Sequence, residues 1–116
     1  MLTETALLSE IIQSAPVGAD WIISNDSWEE IPDILGTKDY NDNYWSVSIT
    51  DANRDIICNK IQQNDLSDKI VHMQLLIQDK LLFRSYDMMA MTIIDRSLEQ
   101  ATVLVEKYKD MELYLE

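Results

Sequence analysis

A chain of 116 residues with 47% hydrophobic side chains, two glycines and two prolines has the makings of one folded domain, residues 1–116, and not of a disordered tail. Its formal charge of −12 disfavours direct binding of nucleic acid or an anionic membrane surface, through the Coulomb term that attracts basic proteins to both. The single cysteine, Cys58, excludes an internal disulfide, and Asp79, Lys80, Arg84, Asp87 and Asp95 interrupt the most hydrophobic third of the chain, leaving no run as long as a membrane span.

In chain order, Leu7, Leu8, Ile11, Ile12 and Ala15 recur at helical spacing and predict a helix from Thr3 to Ala15, stopped by Pro16 and Gly18. Asp20 to Ser24 encloses Trp-Ile-Ile, a short apolar run that suits a buried strand. Ser27 and Glu30 have the spacing of a capping box for a short helix through Trp28, Ile31, Ile34 and Leu35 up to Gly36, curtailed by Pro32. Thr37 to Asn43 is polar and reads as an exposed loop. From Tyr44 to Thr50, Trp45, Val47 and Ile49 alternate with polar neighbours and predict a strand.

Asp51 to Arg54 can turn the chain, and Asp55 to Gln62 is expected to return as a second strand, although Ile56, Ile57 and Ile61 equally suit one face of a helix. Lys69 to Ile77 is β-rich and pairs through Gln78-Asp79-Lys80 with Leu81 to Tyr86. Met91, Ile94, Leu98, Ala101, Val105 and Tyr108 then step by three and four toward Met111, which predicts one long closing helix with Asp87 as its cap. The expected fold is α+β: an antiparallel β-meander of about four strands, packed by an N-terminal and a long C-terminal helix. One face of the sheet is covered and the other open.

Chemistry is sparse. The one histidine, His72, lies among strand residues and shares a face with Gln74, which fits sheet packing or the surface better than catalysis. Two glycines, Gly18 and Gly36, are too few for a phosphate-cradling loop. Asp39-Tyr40-Asn41-Asp42-Asn43 matches the first three ligand positions of a calcium loop. It then fails at position six, Tyr44, and position twelve, Thr50, so no metal or cofactor is expected. Carboxylate pairs such as Glu29 with Glu30 or Asp39 with Asp42 arise by chance on an acid-rich surface, and no enzymatic activity is expected. Met88, Met89 and Met91 are assigned to core packing on the closing helix.

Residues 1–53 hold ten acids against one base, Lys38, whereas residues 54–116 hold eleven against eight. Within the acidic half, Asp20, Asp26, Glu29, Glu30, Asp33, Asp39 and Asp42 are interleaved with Trp21, Trp28, Tyr40 and Tyr44. Interfaces draw their energy from aromatic anchors, and complementary charge speeds encounter, so this segment is the candidate surface for a basic protein partner. The competing reading is that Trp21 belongs to the core and the acids simply face water.

The run from Lys69 to Ile94, where Leu81-Leu82-Phe83-Arg84-Ser85-Tyr86-Asp87 ends a hairpin, together with the size and acidity of the chain, resembles the small acidic immunity proteins that bacteria make against contact-dependent and other polymorphic toxins. The resemblance implies a stoichiometric inhibitor of a cognate toxin, often a nuclease, acting in the cytoplasm. A start of Met-Leu-Thr-Glu, without the features of a secretory signal, fits that setting. The other class in view is a small acidic secretion chaperone or adaptor, dimeric, binding through an apolar sheet face or its helices. Monomer and homodimer both remain open.

Overall fold

The computed structural model describes residues 1–116 throughout. Helix α1 (Thr3–Gln13) buries Leu7, Leu8, Ile11 and Ile12, and Gly18, at φ +91°, lets the chain turn into strand β1 (Asp20–Ser24). Helix α2 (Ile31–Leu35) tolerates Pro32 because it falls in the first turn, where the missing N–H has no helical partner to lose. Gly36, at φ +67°, ends it. There follow β2 (Lys38–Asp39), β3 (Tyr44–Ser48), α3 (Arg54–Gln63), a 3₁₀ turn at Leu66–Asp68, β4 (Met73–Ile77), β5 (Lys80–Tyr86), β6 (Met91–Ile94), α4 (Ala101–Lys107) and β7 (Leu113–Leu115). No helix is long and apolar enough to cross a membrane.

The seven strands form one sheet in the order β2-β3-β1-β4-β5-β6-β7. All neighbours are antiparallel except β6 and β7, which run parallel because α4 carries the chain back between them. β1 lies at the centre, flanked by β3 and β4. β4 and β5 are joined through Gln78 and Asp79, both at positive φ, the backbone of a tight two-residue hairpin turn.

The α+β class holds, and five expectations within it are corrected. The sheet has seven strands, not about four. Asp55 to Gln62 belongs to helix α3: Ile57, Cys58 and Ile61 are buried while Ile56 is exposed, the spacing of a helix face and not the alternation of a strand. The reciprocal bonds of Thr50 and Asn53, each side chain accepting from the other's backbone N–H at 3.1 and 2.8 Å, start that helix. The long closing helix is also absent. Thr92 and Ile94 are buried alternately in β6, Asp95 accepts from the backbone of Ser97 in a turn, and only Ala101–Lys107 is helical. Asp87 therefore caps nothing and sits in the β5–β6 connection. Nor does Ser27 cap α2; its hydroxyl accepts the Val71 N–H at 2.9 Å and ties that loop to the start of β4.

The two faces of the sheet differ. Trp21, Ile23, Val47, Met73, Leu75, Phe83 and Ile94 point to one side, where buried side chains from all four helices complete a single core. A register irregularity between Leu75 and Leu76 places both Leu82 and Phe83 in that core. The opposite face carries no helix. Pairing sets out a row across it, Lys38, Ser46, Ile22, Gln74, Arg84, Ile93 and Tyr114, of which only Ile22, at the centre, is fully buried.

Candidate partner-binding site

The acidic segment begins on β1 and ends on β3, and the fold divides it. Asp20 stands at the first position of β1, half-buried, and accepts the Ser48 hydroxyl at 2.6 Å. That is the end of the open face remote from the others. Asp26 follows the far end of β1, exposed, with Glu29, Glu30 and Asp33 exposed on the approach to α2 and on its first turn. Trp28 is half-buried against the core; its backbone N–H donates to the Lys69 carbonyl at 2.9 Å and the Lys69 ammonium lies 5.5 Å from its ring centroid. It fastens the loop and is not a free anchor.

Asp39 ends β2, paired with Trp45, so the stretch Thr37 to Asn43 is not all loop; Tyr40 and Asp42 occupy the connection to β3, all three are exposed, and Tyr44 opens β3, half-buried. The Tyr40 N–H donates to the Tyr44 carbonyl at 2.9 Å, which folds this connection tightly back. Asn25 then joins the two loops. Its side chain donates to the Asp42 carbonyl and its backbone N–H to that of Asn43, both at 2.9 Å. The structure thus gathers Asp26, Asp42 and Tyr44, with Asp39 and Tyr40 beside them, and leaves Asp20 at the other end.

All five ion pairs of the molecule lie outside this region: Asp51, Asp68, Glu116, Glu10 and Glu106 are the carboxylates engaged. No carboxylate between Asp20 and Asp42 has a cationic partner within 4 Å. A field left uncompensated on one part of a surface steers a positively charged protein toward it. Compared with family models, curated proteins and solved structures, the chain matches none of them.

The same sheet end bears residues assigned elsewhere from sequence. His72 stands opposite Tyr86 across β4 and β5, their rings edge to face at 5.6 Å between centroids, and shares the open face with Gln74 as expected. Beyond Tyr86, Asp87, Met88 and Met89 all adopt positive φ, from +52° to +66°. This run buries Met89 and sends Met88 out to solvent, so the three methionines do not share a core role. No glycine marks the run, and local pattern offered no sign of it.

Elsewhere, a hollow of about 420 Å³ between α1 and α3 is lined in part by Glu10, Asp55 and Cys58. Glu10 and Cys58 are already committed. Glu10 pairs with Lys107 at 3.0 Å and accepts the Tyr108 hydroxyl, and burial pushes the Cys58 thiol up, away from the reactive thiolate.

Proposed function

We propose that the chain is a stoichiometric protein inhibitor, an immunity protein or antitoxin, that neutralises a basic toxin such as a nuclease by occupying it with an acidic, aromatic surface. A nuclease presents cations to hold phosphates, and carboxylates can take the place of those phosphates. The observation that carries this reading is the contrast in ion pairing: the carboxylates from Asp26 to Asp42 are exposed and unpaired, with Asp26, Asp39 and Asp42 beside Tyr40 and Tyr44 at one end of the sheet, while five of the nine lysines and arginines pair with carboxylates outside this segment. Surface complementarity of this kind needs no catalysis and no cofactor. The working partners are Asp26, Glu29, Glu30, Asp33, Asp39, Tyr40, Asp42 and Tyr44, with Trp28 holding their loop in place.

The test is the association rate with the positively charged protein recovered with this chain from its native cell, followed by stopped flow across a range of salt. Charge reversal by E29K, E30K and D33K together is expected to slow association by tenfold or more at low salt and to flatten the salt dependence. An unchanged rate and slope would remove the acidic surface from the mechanism. A second reading, a dimeric chaperone or adaptor, is favoured by the helix-free sheet face with Tyr86, Met91 and Tyr114 exposed on it. Light scattering separates the two, because a strict monomer at micromolar concentration argues against the dimeric reading.

A further inference from the structure

We infer that a notch over Ser24 is an arginine slot, receiving one guanidinium side chain of the partner between Tyr44 and His72 with its charge against Asp26. This rests on the reading above that the partner is a basic protein, and says where its first anchor enters.

At this end of the open face, strand pairing aligns Tyr44 with Ser24 and Tyr86 with Met91. His72 bridges the two pairs through its carbonyl, which accepts the Ser24 N–H at 2.9 Å, and through its ring contact with Tyr86. The row therefore reads Tyr44, Ser24, His72, Tyr86, Met91. Ser24 is its one small side chain, so the surface drops there into a hollow of about 200 Å³ lined by Ser24, Asn25, Asp26, Asn43, Tyr44 and His72. No lysine or arginine lines it, and the Asp26 carboxylate has no ion-pair or hydrogen-bond partner.

Past His72, on the side away from the hollow, the row continues into an apolar collar: Tyr86 at the end of β5, Met88 in the connection and Met91 at the start of β6 are 39%, 49% and 37% exposed. A carboxylate alone would accept any cation, and aromatic rings alone would accept any flat apolar group. Together they select a planar cation: guanidinium is weakly hydrated, stacks on aromatic faces and donates two parallel hydrogen bonds to a carboxylate. Ammonium satisfies only the charge.

The test is a titration of isotope-labelled protein with N-acetyl-arginine amide, followed by nuclear magnetic resonance, with the lysine amide and the uncharged isostere N-acetyl-citrulline amide in parallel. Arginine is expected to shift His72, Tyr44 and Asp26 along saturating curves, with Kd on the order of 1 mM for so small a ligand. Lysine should bind several-fold and citrulline at least about tenfold more weakly. D26N, at an exposed site without structural bonds, and Tyr44→Leu, which keeps apolar bulk but removes the ring, should each weaken arginine about tenfold. Equal binding of lysine or citrulline, shifts spread over Glu29, Glu30 and Asp33, or no saturation would each overturn the slot. The triple reversal E29K, E30K and D33K leaves these lining residues in place. Arginine binding that persists while salt-steered capture fails therefore defeats the broader reading alone, and the reverse result defeats the slot alone.

Discussion

The two faces of the sheet are built from alternate residues of the same strands, yet one is sealed and the other is bare. On the sealed face Trp21, Phe83 and Ile94 meet four helices. On the bare face their sequence neighbours Ile22, Arg84 and Ile93 have no helix over them: Ile22 lies between Ser46 and Gln74, and Arg84 lies between Gln74 and Ile93 with its guanidinium 3.4 Å from the Glu116 carboxylate. A single alternating pattern therefore serves two purposes: one set of positions along the strands holds the fold together, while outer members of the other set, such as Tyr86, Met91 and Tyr114, are exposed for contact with something outside it.

Substitutions on the two faces should differ accordingly. Phe83→Ala removes a fully buried ring and is expected to cost roughly 3–5 kcal/mol in urea unfolding, whereas Tyr86→Ala, three residues on and facing solvent, should cost under about 1 kcal/mol. Equal losses would mean that the bare face is covered in solution, and would point to a second copy.

An intermediate effect is expected where the helical layer is latched. The Tyr108 hydroxyl donates to Glu10 and links α4 to α1, so Tyr108→Phe should lose roughly 1–2 kcal/mol. Burial first, and the bond to Glu10 second, push the Tyr108 phenol above its ordinary range. The folded state thus holds that proton more tightly than the unfolded chain. The resulting stability is whole below the unfolded pKa of about 10 and falls as pH rises beyond it. Unfolding midpoints measured up to alkaline pH should show that decline in the wild type and its reduction in the phenylalanine variant.

The smallest effect belongs to the β5–β6 connection and has the opposite sign. A left-handed backbone costs a non-glycine residue roughly 1–2 kcal/mol, of which glycine's extra chain entropy offsets about half. Met88→Gly should accordingly raise stability by roughly 0.5–1 kcal/mol in a thermal melt, while removing one wall of the apolar collar. A loss of stability there would show that the exposed Met88 side chain packs on a neighbour in solution.

What could be read from the chain depended on how far apart the deciding residues lie. α1, β1, β3 and the β4–β5 hairpin follow from apolar spacing within a dozen residues, and their bounds agree within two residues except at the start of β4, which begins at Met73 and not Lys69. The stretch Asp55 to Gln62 was ambiguous because Ile56, Ile57 and Ile61 satisfy two periods at once; the Thr50–Asn53 turn was the unused signal that resolves it. The stripe from Met91 to Tyr108 mimicked one helix because a strand, a turn and a short helix each happen to bury residues three or four apart. At the candidate site, the carboxylates and aromatics were visible as a composition. Their division was not, since it depends on Asn25 reaching Asn43 and on Lys69 lying over Trp28, contacts made across 18 and 41 residues.

The outermost strands are the two shortest in the sheet, β2 with two residues, both charged, and β7 with three. Ladder hydrogen bonding to a further chain requires a longer run of free amides than either margin offers, so lateral growth into filaments is blocked by construction. Assembly of this protein then falls to surfaces where contact is set by side chains and can be tuned one residue at a time.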